Sequence, residues 1–230
     1  MASKPKDAYS DSALVAAVMS GKHRSFVGGM WDEIGGLQRD FVLGEGLTPD
    51  MRLLDIGCGC LRAGVHFVRY LNAGNYYGID ISQALIDAGY EIELAAAGLQ
   101  SKMPRSNLNC NGGFEASMFG VKFDVAIAQS VFTHLPLNHF KLCMARAADY
   151  MRPGGTLYAT VFLPPDGADW TRPITHSPGG IVTYPDADPF HYQEADVGYA
   201  VADLPWTLLE IRDWNHPRNQ KMAIFRRDPA

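Results

Sequence analysis

At 230 residues, 47% of them hydrophobic and 20% charged, the chain is long enough to bury a full core in one globular domain without disulfide or metal staples. A net charge of −5 disfavours a broad basic face for nucleic-acid phosphates, leaving only a local cluster at Arg218, Lys221, Arg226 and Arg227, and no apolar run is long enough to span a bilayer. The N-terminus lacks the basic-then-apolar layout of an export signal, so the expected setting is the cytoplasm and the expected partner a small molecule, with neither nucleic acid nor membrane.

In chain order, residues 1–9 are polar and read as mobile, and 12–20 carry helical apolar spacing behind a cap at Asp11 or Ser12. The bend Phe26-Val27-Gly28-Gly29-Met30-Trp31 leads to a second helix over 36–43, ended by Gly44-Glu45-Gly46. From Arg52 strand and helix alternate: strands at 52–56, 75–79, 107–110 and 123–129, helices at 61–71, 82–97 and 138–151. Alternation of this kind predicts a parallel sheet with right-handed crossovers, and the uninterrupted apolar runs at 53–56 and 125–128 mark central strands covered on both faces. Pro153-Gly154-Gly155 then separates helix from a fifth strand at 156–163.

Residues 163–190 hold six of the chain's 14 prolines, so no regular helix is expected there. A loop of that length after a strand's carboxyl end is expected to act as a lid or recognition segment, with Trp170, His176, Tyr184, His191 and Tyr192 as candidate acceptor contacts or, equally, as pins that hold the loop to the body. The chain closes with strands at 206–214 and 220–227, joined by the turn Asn215-His216-Pro217-Arg218-Asn219. Cys58, Cys60, Cys110 and Cys143 lack paired metal-ligand spacing, so free thiols and no metal site are expected.

The informative stretch is Leu53-Leu54-Asp55-Ile56-Gly57-Cys58-Gly59-Cys60, a buried strand entering a turn in which glycine permits positive φ and close approach of a ligand. Asp80 follows 25 positions after Asp55, at the end of the next strand-like run, where a doubly wound sheet places a ribose-binding carboxylate. A dinucleotide site would need a third glycine, and Arg62 stands there instead. Asp55 would also repel a pyrophosphate by several kcal/mol, on the order of the Coulomb energy of like charges a few ångströms apart at intermediate dielectric, while attracting an ammonium or sulfonium. A nicotinamide oxidoreductase is disfavoured accordingly.

These residues resemble the first cofactor-binding motif of class I S-adenosylmethionine-dependent methyltransferases, and the acidic end of the second strand fits that family as well. The resemblance extends over residues 26–228 through Phe123-Asp124-Val125-Ala126-Ile127-Ala128-Gln129-Ser130, Val131-Phe132-Thr133-His134-Leu135 and the helix-Pro-Gly-Gly-strand passage. It implies a three-layer Rossmann-like α/β sandwich with a seven-stranded, mostly parallel sheet in the order 3-2-1-4-5-7-6 and the last strand antiparallel. A helical extension over residues 1–50 would cover the cofactor site, and residues 51–230 would form the catalytic domain, with 163–190 as its lid.

By that resemblance, S-adenosylmethionine would be held by Asp55, Gly57, Cys58, Gly59, Arg62, Asp80, Ile81, Phe114, Gln129 and Ser130. Asp55 would meet its ammonium, Arg62 its carboxylate, Asp80 its ribose, and Ile81 and Phe114 its adenine, with Glu115 near the adenine region. Trp31 and Gln38 would face the methionine end or the acceptor, or else anchor the extension. Methyl transfer needs alignment and exclusion of water, and a base only for some acceptors. His134 and His191 are the candidate bases, and His216 a third. The function implied is methylation of an oxygen or nitrogen on a small polar acceptor such as a sugar, a natural-product intermediate or an amine. The alternative is a cofactor-binding subunit of the same fold without catalysis.

Overall fold

The computed structural model describes residues 15, 16, 18 and 20–229; the expected polar start and the cap at Asp11 or Ser12 lie outside the described residues. Strands β1 (Leu53–Ile56), β2 (Tyr76–Asp80), β3 (Leu108–Cys110), β4 (Phe123–Ala128), β5 (Met151–Val161), β8 (Trp206–Arg212) and β9 (Lys221–Arg227) form one sheet in the order β3-β2-β1-β4-β5-β9-β8. All neighbours from β3 to β5 run parallel, and β9 inserts antiparallel between β5 and β8. Setting aside the short hairpin β6 (Ile174–Thr175) and β7 (Val182–Thr183), this is the expected 3-2-1-4-5-7-6 order of a Rossmann-like methyltransferase fold.

Side chains alternate along each strand between two cores. Leu54, Ile56, Ala126, Ala128, Leu157 and Ala159 face one core, completed by Phe140, Cys143, Met144 and Ala147 of α5 (Leu137–Tyr150). Leu53, Val125, Ile127, Tyr158 and Ile224 face the other, completed by Phe67 and Val68 of α3 (Gly64–Tyr70) and Val42 of α2 (Trp31–Gly44). The sheet is thus covered on both faces, which is why its central strands are apolar throughout. Among the described residues no helix is long and apolar enough to cross a membrane.

Three elements depart most from the sequence-based expectation. Helix α2 begins at Trp31 rather than at 36, running through Gly35 and Gly36, after the four-residue α1 (His23–Phe26). At Gly35 a Cβ would lie 2.8 Å from the Arg62 carbonyl, so the glycine that weakens the local helix is what lets α2 press onto the turn before α3. The helix expected over 82–97 is capped by the Ser82 hydroxyl, runs as α4 (Gln83–Ala88), and then widens into a π-helical turn over Gly89–Leu94. There a Cβ on Gly89 would fall 2.6 Å from Leu61 Cγ, so this helix packs directly on the glycine turn.

The Pro153-Gly154-Gly155 stop lies inside β5 as a bulge, because the register with β4 passes from Phe123↔Met151 to Val125↔Thr156. Across 163–190 the chain forms the β6–β7 hairpin and an isolated bridge between Tyr184 and Phe190 but no helix, as its proline content predicts. After the short α6 (Glu194–Tyr199), the terminal hairpin turns through Asn215 and Asn219, both left-handed at φ 61° and 60°, a conformation that asparagine tolerates.

Candidate active site

Where the sheet order reverses between β1 and β4, the carboxyl ends of the strands open into a cleft of about 1270 Å³. That exceeds the roughly 300–1,000 Å³ of a site for one small molecule and leaves room for two. Its floor is the turn after β1. Gly57 (φ 74°) and Cys58 both donate backbone N–H groups to the Ile79 carbonyl, at 2.8 and 3.0 Å, which folds the turn over the end of β2. A Cβ on Gly57 would sit 2.5 Å from Val131 Cγ2, so glycine is required on steric and conformational grounds together. Gly59 (φ 53°) donates its N–H to Asp80 Oδ2 at 2.8 Å, while Asp80 Oδ1 accepts from Ser82 N at 2.8 Å. Burial pushes the Asp80 carboxyl up and these backbone donors pull it down, and each oxygen retains lone pairs for a further donor.

Asp55 is 4% exposed and lines the same cleft; its Oδ2 accepts from the Tyr76 hydroxyl at 2.8 Å. Burial lifts its carboxyl to about 7, opposed by the Tyr76 bond, with the Asp80 charge adding to the rise. Arg62 is not a solvated helix residue. Its guanidinium donates to Val27 O at 3.0 Å, Gly29 O at 3.1 Å and Gln129 Oε1 at 2.7 Å, tying the N-terminal segment to the end of β4. Burial lowers it to about 10, so it stays cationic at neutral pH.

Beyond β4, Gln129 and Ser130 enter a polar network. Ser130 (φ 58°) donates its N–H to Thr160 Oγ1 at 2.7 Å, and its hydroxyl lies 2.9 Å from Gln220 Nε2. His216 accepts from Arg218 N at 3.2 Å through Nδ1, and burial, with Arg62 and Arg218 nearby, lowers it to about 4. It is therefore a neutral imidazole at neutral pH, held between the Arg218 backbone and the Gln129 amide.

Every sequence-predicted cofactor residue lines this cleft: Asp55, Gly57, Cys58, Gly59, Arg62, Asp80, Ile81, Phe114, Gln129 and Ser130. Ile81 is an apolar side chain 66% exposed, and Phe114, lining the same cleft, is buried with φ 58°. Glu115 points away and pairs with Arg146. Cys58 and Cys60 are buried free thiols, Cys58 held well above the usual thiol range by burial and Cys60 pushed to about 12. Gln38 lines the cleft with its amide bonded to Ile34 O, whereas Trp31 packs beneath the Arg24 guanidinium.

The predicted acceptor contacts divide sharply. His134 lines the cleft, with Nδ1 2.6 Å from Asp188 Oδ1. His191 does not line it: Nε2 lies 2.7 Å from the Trp170 carbonyl and Nδ1 lies 2.8 Å from Thr183 Oγ1, so both nitrogens are occupied inside the loop. His176 is 1% exposed, bonded through Nε2 to the same Thr183 hydroxyl, and lowered by burial to about 4. Tyr192 is buried and donates to the Phe132 and Leu135 carbonyls. Tyr184 bridges to Phe190 through the backbone and Trp170 faces solvent. These five pin or flank the loop, and the cleft wall is instead made by Asp186, Asp188, Phe162 and Phe190 with His139, Arg218 and Gln220. Asp186 and Asp188 lie between Pro185 and Pro189, but nothing local in the sequence marked Asp188 or Gln220 as facing the cleft.

Residues 54–157 match the family model of a methyltransferase domain. The fold is similar to magnesium protoporphyrin IX methyltransferase (ChlM) from Synechocystis PCC 6803 with bound SAH, at 15% identity and a TM-score of 0.62 over 86% of each chain. It is also similar to the CcbJ methyltransferase from Streptomyces caelestis, at 16% identity and a TM-score of 0.63 over 84% of this chain and 89% of that one. A third likeness is to an S-adenosylmethionine-dependent methyltransferase from Clostridium acetobutylicum ATCC 824, at 11% identity and a TM-score of 0.59, covering 84% and 90%. At these identities the likeness to the solved structures is one of fold.

Proposed function

We propose that the chain is a class I S-adenosylmethionine-dependent methyltransferase and that it methylates an oxygen or nitrogen, with a hydroxyl favoured, on a small polar acceptor. The observation that carries the choice is the His134–Asp188 pair on the cleft wall. A carboxylate can only accept, so the proton of the neutral imidazole sits on Nδ1 and the lone pair of Nε2 is free for an acceptor hydroxyl.

The donor set fits the cofactor. A carboxylate that burial makes reluctant to ionise is suited to an ammonium, an arginine bonded only to neutral oxygens is suited to a carboxylate, and Gly57 leaves no room for a side chain. In this reading Asp55 and Arg62 hold the two ends of the methionine part, Asp80 accepts from the ribose hydroxyls, and Ile81 and Phe114 flank the adenine. When bound, S-adenosylmethionine supplies a methyl group on a positively charged sulfur. Gln129 and Ser130 fix the position next to it, and the residues from 26 to 38 with the loop over 163–190 exclude water. The chain's contribution is therefore alignment and one proton transfer. The four free thiols fit a reducing compartment, and the cytoplasm is the setting we propose.

His134→Ala is expected to lower kcat by about 10²-fold or more on a hydroxyl acceptor, and Asp188→Asn less, while calorimetric affinity for S-adenosylhomocysteine stays unchanged. A normal rate in His134→Ala would remove the histidine from the mechanism. Tight binding of NAD with indifference to S-adenosylhomocysteine would remove the reading itself.

A further inference from the structure

Two arginines line the cleft, and neither is neutralised among the described residues. Arg62 donates to two backbone carbonyls and an amide oxygen, and Arg218, on the turn between β8 and β9, donates to the Gly28 carbonyl at 2.6 Å. The arginines that do form ion pairs, such as Arg24, Arg105 and Arg146, lie elsewhere. Two unpaired cations in one cleft repel each other, and Arg218 is among the groups that depress Arg62. The cofactor offers one carboxylate, and its sulfonium adds positive charge. One arginine therefore has no anion.

Arg218 is the one placed for a second ligand. Three segments meet at it: the N-terminal strap at Gly28, the β8–β9 turn, and the lid, whose Gly179 (φ 98°) packs so closely that a Cβ would lie 2.7 Å from Pro217 O and 2.8 Å from Arg218 Cα. The same cleft carries apolar wall from Phe162, Ile181 and Phe190. Asp186 and Asp188 face the cleft too, but Asp188 is taken by His134. We infer that Arg218 is a specificity-determining residue that reads a carboxylate on the methyl acceptor, making the substrate a small hydroxy-acid with an apolar body. This rests on the function proposed above. A guanidinium bonded to one carbonyl keeps donors for a planar anion, and in a partly desolvated cleft a charge-assisted bond separates an acid from its neutral amide.

The test titrates the full chain, saturated with S-adenosylhomocysteine, with 3- and 4-hydroxybenzoate and with the matching hydroxybenzamides. The acids are expected to bind about tenfold or more tightly than the amides, the scale of one charged hydrogen bond. Arg218→Gln should abolish that preference and Arg218→Lys keep most of it, with S-adenosylhomocysteine affinity unchanged in both. Equal or tighter binding of the amides, no acid binding at about 10 mM, or a preference that survives in Arg218→Gln overturns the inference. So does a loss of S-adenosylhomocysteine affinity in that variant, which would assign Arg218 to the cofactor. Failure of the unaltered protein to bind S-adenosylhomocysteine at all is the separate failure of the proposed function.

Discussion

Asp55 sets a conflict between folding and binding on a single carboxyl. Its folded-state value of about 7 lies above the ordinary 3.8, so the native state holds this proton more tightly than the unfolded chain does. The stability that the neutral acid contributes is fully present below about pH 4 and lost as pH rises through about 7, an upper bound of roughly 4 kcal/mol at 1.36 kcal/mol per unit. An ammonium beside the carboxylate reverses the preference, so in the proposed site binding expels the proton. Asp55→Asn is therefore expected to make the ligand-free protein more stable than the parent at pH 8, with the gap narrowing by more than half at pH 5, and to weaken S-adenosylhomocysteine binding and erase its pH dependence. Denaturant melts at the two pH values and calorimetry check both halves; a variant less stable at pH 8 would show that the buried charge is compensated in the empty site. Asp55, Gly57, Gly59 and Asp80 were legible because strand, turn and next strand are local in the chain. Asp188 and Arg218 were not, because contacts to His134 and Gly28, 54 and 190 residues away, give them their surroundings.

At the scale of elements, the glycine turn works as the joint between β1 and the start of the segment after β4. Gly57→Ala would force a methyl against Val131 at a left-handed φ, combining about 1–3 kcal/mol of overpacking with about 1–2 kcal/mol of backbone strain. Val131→Ala on its own leaves a small cavity. Together the two should destabilise less than the sum, by a coupling of about 0.5–3 kcal/mol in a double-mutant cycle, and strict additivity would place the cost in the backbone alone. The strands and the sheet order could be read from apolar runs and alternation, since burial on both faces writes itself directly into composition. The start of α2 could not: paired glycines at 35 and 36 argue against helix at about 1 kcal/mol each, and only the approach of the Arg62 carbonyl explains why one of them is there. The π-helical turn over Gly89–Leu94 was hidden for the same reason, since the Leu61 contact that accompanies it comes from another element.

At the scale of the whole molecule, the segment over 163–190 is held by a chain of hydrogen bonds whose direction is fixed by its ends. The Trp170 carbonyl only accepts, so His191 carries its proton on Nε2 and receives the Thr183 hydroxyl proton at Nδ1; Thr183 in turn accepts from His176 Nε2. That chain occupies both ring nitrogens of His191, which is why a histidine beside the cleft is structural. Burial lowers His176 to about 4, below the ordinary 6.5, so the stability it contributes is present above about pH 6.5 and lost as pH falls toward 4. The segment is tied to the body separately, by Phe190 N to Thr133 O and Tyr192 N to Phe162 O at 2.8 and 2.9 Å. Thr183→Val keeps the shape and removes the bridge, leaving unpaired polar atoms on two buried rings at about 1–3 kcal/mol each. The expected result is faster proteolysis within 163–190 and a raised acceptor KM, with S-adenosylhomocysteine affinity unchanged and the parent protein approaching the same behaviour as the pH is lowered from 7 to 5. If the variant instead lost cofactor affinity in step with global stability, the segment would belong to the cooperative core, and its closure could not be set independently of the sheet beneath it.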